Sequence, residues 1–136
     1  MLAPKHHTYY LAGQMSGLPL SNFPLFDRVA RLLRKDGYTV VSPSELDDET
    51  VREETLAGKT HEGRWGEFLS RDVKIVADEV QGLILRPGLE NSRGARLEVF
   101  VGLLTKKEFA IWDHNTDVAI YVTRDRVRHQ LKENMP

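Results

Sequence analysis

A chain of 136 residues, 40% hydrophobic and 29% charged, is long enough to bury its own core and lies far from the disordered class. Its 19 basic and 20 acidic residues leave a net charge of -1, which argues against the electropositive surface of a duplex-DNA binder. It contains no cysteine, which excludes disulfide scaffolds, thiol catalysis and thiolate metal sites. No apolar run approaches the ~18 residues of a membrane span, and Met1 to His7 is too polar for a secretion signal. The expectation is a soluble cytoplasmic domain.

Short apolar runs alternate with helical patterns along the chain. Thr8 to Ala12 is aromatic-rich and stops at Gly13, which predicts a first strand. Phe23 to Asp36 places Phe23, Phe26, Ala30 and Leu33 at helical spacing, and Gly37 follows as a helix-ending glycine would. Tyr38 to Val41 reads as a second strand. The polar stretch from Ser44 to Gly63 reads as solvated, mobile surface, with a flap over a site as the alternative. Trp65 to Asp78 predicts a helix, Gly82 to Leu85 a third strand, and Ser92 to Leu104 another helix. Phe109 to Trp112 and Val118 to Val122 are the fourth and fifth strands, and Arg124 to Lys132 is a terminal helix. This order predicts an α/β fold: a single Rossmann-like or flavodoxin-like domain, its parallel sheet of about five strands covered by helices on both faces.

In such a sheet the ligand crevice lies beyond the carboxyl ends of the strands, where strand order reverses. Two glycine-containing loops, Gly13 to Gly17 and Pro87 to Asn91, follow strands and face that crevice. The first is neither a P-loop nor a dinucleotide fingerprint, and by itself is equally a tight turn. Glu98 carries more information. Its helix is apolar almost all round, and Ala95 and Gly102 on its own face are too small to cover it. A carboxylate set among apolar groups is costly unless paired or functional; the plainer reading is an ion pair with Arg96 or Arg71. Asp72, placed near the start of its helix, offers a second carboxylate for proton transfer, or simply one that faces the helix dipole. The five histidines lack paired ligand spacing and read as solvated polar residues. Trp65 is either core or a stacking platform for a base.

Three segments together resemble the nucleoside 2-deoxyribosyltransferase superfamily: Tyr10 to Gly17, then Arg71-Asp72, then Ser92 to Glu98. The likeness covers roughly residues 8 to 104 and is nearest to small members, the 2'-deoxynucleoside 5'-monophosphate N-glycosidases and a phage-associated branch. It implies a compact α/β fold, no cofactor, a homo-oligomer, and cleavage of the N-glycosidic bond of a deoxynucleoside or its monophosphate. By resemblance Glu98 falls on the nucleophile that attacks C1' and Asp72 on the carboxylate that protonates the leaving base. Ser92 falls on a hydroxyl that contacts a 5'-phosphate, with Gly94 leaving room for it. The expected substrate-binding set is Gly13, Gln14, Met15, Ser16, Gly17, Asn22, Phe23, Trp65, Ser92, Arg93 and Gly94, with no metal. Gln14 and Ser16 stand where the monophosphate hydrolases carry Ser and Arg, and Gln81 replaces an Asp often found before the third strand. Arg86 and Arg93 are the candidate substitutes as phosphate ligands.

The expected partner is therefore a small nucleoside or nucleotide, with neither membrane nor duplex nucleic acid involved. The expected setting is the cytoplasm, that of a host cell if the chain is phage-encoded. Two rival readings are a non-catalytic nucleotide-binding module on the same fold and an interaction domain acting through Arg124, Arg126, Arg128 and Lys132. A pure binder of a phosphorylated ligand has little reason to aim two carboxylates at it.

Overall fold

The computed structural model describes residues 1–133 and is built on one five-stranded sheet. The strands are β1 (Thr8–Ala12), β2 (Thr39–Val41), β3 (Gly82–Leu85), β4 (Glu108–Asp113) and β5 (Val118–Val122), in spatial order β2-β1-β3-β4-β5. The helices are α1 (Phe23–Lys35), α2 (Glu49–Leu56), α3 (Trp65–Asp78), α4 (Arg93–Leu104) and α5 (Arg124–Glu133). This is the α/β, Rossmann-like and flavodoxin-like arrangement that the alternation predicts.

The first four strands are parallel, but β5 runs antiparallel to β4. The expectation of a wholly parallel sheet is corrected there. Only residues 114–117 separate the two strands, whereas a parallel return needs a crossover of a dozen or more residues. The outer edge of β5 is met by the N-terminal segment, where Ala3 N donates to Ala119 O at 3.0 Å and Tyr121 N to Met1 O at 2.9 Å.

Strand alternation divides the core into two layers. Tyr9, Leu11, Ile84, Ala110 and Trp112 pack with Phe26, Val29 and Leu33 of α1. Tyr10, Ala12, Leu83, Leu85 and Phe109 pack with Val76 of α3, Val99 and Leu103 of α4, and Val127 and Leu131 of α5. Each fully buried aliphatic or aromatic side chain contributes about 1.5–3 kcal/mol, so both helix layers are held chiefly by apolar burial. Gly37, at φ 95°, ends α1, and Tyr38 N beyond it returns to Leu33 O at 3.0 Å. Gly102 lets α4 approach the sheet closely, since a Cβ there would lie 2.8 Å from Leu83 Cδ1 and 3.1 Å from Phe109 Cζ.

The polar 44–63 stretch is not simply solvated surface. Asp48 caps α2 by accepting from Val51 N at 2.9 Å, and Val51 and Thr55 are buried. Asp27 of α1 ties it down by accepting from Ser44 Oγ at 2.7 Å and pairing with Arg52.

Candidate functional site

The chain leaves β1 toward β2 on one side of the sheet and later returns to β3 on the other. The loops after β1 and β3 therefore diverge at their carboxyl ends. A cavity of about 840 Å³ opens there, within the range of small-molecule sites. Its walls are the loop after β1, the start of α4, one side of α3 and the segment that carries α2.

Tyr10, fully buried on β1, points toward α4, and its hydroxyl donates to Glu98 Oε2 at 2.6 Å. Glu98 is 6% exposed and Asp72 is 8% exposed, and both line the cavity. Neither Arg96 nor Arg71 pairs with Glu98, so the plain ion-pair reading is set aside: Arg96 donates to the carbonyls of Leu89 and Glu90. Arg71 instead bridges Asp72, at 2.9 Å, and Asp47 from the segment before α2. Asp72 lies in the middle of α3 rather than near its start, so the helix dipole has no part in holding it. The expected helix, Trp65 to Asp78, has the same bounds as α3, so the error lay in placing Asp72 near its start and not in the helix limits.

Burial, and then the charge of Asp72, push the Glu98 carboxyl up to about 8, against the hydrogen bond from Tyr10 and the charge of Arg71. Burial also raises Asp72, with Arg71 opposing it, and the Tyr10 hydroxyl hydrogen-bonds that carboxylate as well. Tyr10 is pushed well above its usual value, chiefly by burial. Burial and the charge of Asp72 thus favour the protonated form of Glu98, while Arg71 favours the ionised form of Asp72. The dyad can therefore supply one proton and one negative charge within the same cavity.

The structure brings Gly13, Met15, Ser16, Gly17, Phe23, Trp65, Ser92, Arg93 and Gly94 to the cavity wall with both carboxylates. Gln14 and Asn22 are not among the residues that line it. Asn22 Nδ2 donates to Gln14 O at 3.0 Å, and Gln14 Nε2 to Ser16 O at 3.3 Å, so both side chains brace the loop. That brace matters because Leu20, Ser21 and Asn22 are consecutive left-handed residues, a conformation costing roughly 1–3 kcal/mol each outside glycine. Ser92 caps α4, its Oγ accepting from Ala95 N at 3.1 Å, which leaves the hydroxyl proton free to face a ligand. Trp65 is 41% exposed, so it is not core; Arg93 lies over its ring at 5.8 Å. A Cβ at Gly94 would meet only Leu69 and Trp65, at 3.8 and 4.0 Å, so the bare Cα widens the cavity toward the tryptophan.

Sequence reading missed Tyr10 as a site residue, along with Arg71, Asp47, Phe68 and His61. Strand alternation was the available signal for Tyr10, since it puts that residue on the same face as Ala12, under the helix that carries Glu98. His61 departs from the expectation of five solvated histidines. Its Nε2 is buried 3.8 Å from Glu54, and its ring meets Phe68 edge-on. No signal of local spacing marks it.

Fold and site together define a flavodoxin-like α/β domain with a buried carboxylate pair at its topological switch point. Residues 7–110 match the model of a domain family of unknown function (DUF4406), and the chain belongs to that family. No curated protein matches the sequence. No helix among the described residues is long and apolar enough to cross a membrane.

Proposed function

We propose that this chain is an N-glycosidase or deoxyribosyltransferase acting on a 2'-deoxynucleoside or its 5'-monophosphate. The observation that carries the reading is the buried Glu98, bonded by Tyr10 at 2.6 Å and electrostatically coupled to Asp72, in a cavity of nucleotide size. Resemblance to the nucleoside 2-deoxyribosyltransferases supplies the reaction class; the carboxylate pair meets its chemical needs. The base enters against Trp65 and Phe68, and the sugar lies over Glu98 and Tyr10. A sugar without a 2'-hydroxyl tolerates oxocarbenium character well, so a close carboxylate can trap C1' covalently.

The proton balance follows from the dyad. As the C1'–N bond breaks, the Tyr10 hydroxyl turns from Glu98, to which it donates in the resting structure, toward Asp72, and takes up the Glu98 proton as it passes its own to Asp72. Asp72 protonates the leaving base, and the freed Glu98 carboxylate bonds to C1'. Water or a second base then attacks C1' and gives its proton to the ionised Asp72 as the C1'–O bond to Glu98 breaks, which completes hydrolysis or transfer and returns the single proton to the pair. Arg71 keeps Asp72 on the base side and offsets its charge.

Incubation with the deoxynucleosides and their 5'-monophosphates, with free base followed by chromatography, tests the reading. Base release, and mass-spectrometric capture of the sugar on Glu98 from a slow 2'-fluoro analogue, support it. Nucleotide binding with no cleavage favours a non-catalytic binding module instead.

The same proposal includes a homo-oligomer in the cytoplasm. Leu97, Phe100 and Leu104 form an exposed stripe on α4, at 39%, 46% and 66% exposure, which a second subunit would bury. Ultracentrifugation of the wild type and of Phe100→Asp reads this directly: a dimer or larger species that dissociates in the variant supports it, and a wild-type monomer removes it.

A further inference from the structure

Most partly buried arginines in this structure have a carboxylate partner. Arg52 pairs with Asp27, Arg64 with Glu67, Arg71 with Asp47 and Asp72, and Arg124 with Glu108. Arg86 departs from this pattern. It follows β3 directly, its backbone N–H donating to Ala12 O at 2.8 Å, and so stands beside the loop after β1. Its guanidinium lies over the Phe26 ring at 5.0 Å. Its Nε is buried with no hydrogen-bond partner, and the side chain makes no ion pair or hydrogen bond among the described residues. Burial holds the group below its usual value. An unpaired cation withdrawn from water is costly, so a fold that keeps one has a use for the charge.

Gly13 accommodates this arrangement. A Cβ at Gly13 would lie 3.1 Å from both Cβ and Nη1 of Arg86 and 3.4 Å from Phe26 Cζ. The glycine gives Arg86 room to lie across the loop. On its other side Gly13 lines the cavity that holds Glu98. Strand alternation sends Leu85 into the layer of α4 and the next residue, Arg86, toward α1. A ligand crossing the Gly13 loop would therefore have the carboxylates on one side and a free guanidinium on the other. The loop itself carries no cation between Gly13 and Asn22.

We propose that Arg86 is an oxyanion-binding residue that receives the phosphate group of the ligand across the Gly13 loop. The planar guanidinium fork matches a phosphate in two parallel N–H···O bonds, which a point charge cannot do. That the oxyanion is a nucleotide 5'-phosphate rests on the function proposed above; that Arg86 binds an oxyanion does not.

The test compares wild type, Arg86→Met and, as a control at an exposed arginine of α1 away from the cavity, Arg31→Met, by calorimetry and thermal unfolding, with inorganic phosphate as the probe. Arg86→Met keeps the packing on Phe26 and removes the charge. The expected result is phosphate binding by wild type and Arg31→Met, at least tenfold weaker binding by Arg86→Met, and a ligand-free Arg86→Met that unfolds no lower than wild type. A phosphate response equal to wild type in Arg86→Met, or none in wild type, overturns the proposal. If Arg86→Met does not fold, Arg86→Gln carries the same comparison. A second arm titrates a deoxynucleoside and its 5'-monophosphate: the wild-type preference for the monophosphate should fall at least tenfold in the variant. An equal loss on both ligands marks a packing role and also overturns it. Base release in a protein that ignores phosphate would sink this proposal alone, whereas phosphate binding through Arg86 with no base release would sink only the glycosidase reading.

Discussion

The Tyr10 hydroxyl and the Glu98 carboxylate, 88 residues apart in sequence, form a buried hydrogen bond of 2.6 Å at the mouth of the sheet. Glu98 thereby has a donor in a place where burial and Asp72 both favour its neutral form. The bond, with the charge of Arg71, opposes burial and favours the ionised form of Glu98. Three expected outcomes rest on that balance and a fourth on the cap of α4.

Glu98→Gln should abolish base release, by at least about a thousandfold, while ligand affinity stays within about threefold. Glutamine is the neutral isostere of the protonated carboxyl and can still accept from Tyr10. Steady-state base release and calorimetric titration of the same preparation read both quantities. Normal turnover by the variant would remove Glu98 from the chemistry.

Stability should fall as pH rises from about 4.5 to about 8. Glu98 is raised when folded, so the folded chain keeps a proton that the unfolded chain has already released. Its contribution is fully present below about 4.5, is lost through that window, and changes little above it. The slope for one such proton is at most about 1.4 kcal/mol per pH unit. Glu98→Gln removes the proton and should gain on wild type steadily toward pH 8. Denaturant unfolding across that range decides it; parallel curves for the two proteins would mean that Glu98 titrates normally.

The ascending and descending limbs of kcat/KM against pH should respond to the neighbours of Glu98. The competent dyad holds a single proton, so activity should decline above about pH 8 and again as Asp72 protonates at low pH. Tyr10→Phe removes the bond that lowers Glu98 and should move the upper limb higher, with a large fall in rate from the broken proton path. Asp72→Asn removes the charge that raises Glu98 and should move the Glu98 titration lower, which carbon NMR of the labelled carboxyl measures. Shifts of the same sign in both variants would contradict this assignment of causes.

Ser92→Ala should lower stability by about 1 kcal/mol, because its Oγ caps α4 through Ala95 N. If the hydroxyl proton also faces the ligand phosphate, the variant should lose monophosphate affinity beyond any loss on the nucleoside. An equal loss on both would assign Ser92 to capping alone.

The local pattern of the chain was enough to locate nearly every strand and helix, because alternation and helical spacing are written within a dozen residues. Glu98 stood out in the same way, as one carboxylate on an apolar helix. The antiparallel β5 was also within reach, since residues 114–117 cannot hold a crossover. Other features had no local signature. The polar 44–63 stretch looks like solvent-facing chain, yet Asp27 of α1 anchors it through Ser44 and Arg52, and it becomes a wall of the cavity. His61, in the same stretch, is half-buried with its Nε2 withdrawn from solvent. Above all, Tyr10, Asp72 and Glu98 meet only because β1 lies beside β3, which lets α3 and α4 pack together over it. Their mutual influence on protonation depends on distance and burial across three elements, quantities that sequence spacing does not contain. The residues were legible one at a time; their common burial in one cavity was decided by tertiary structure.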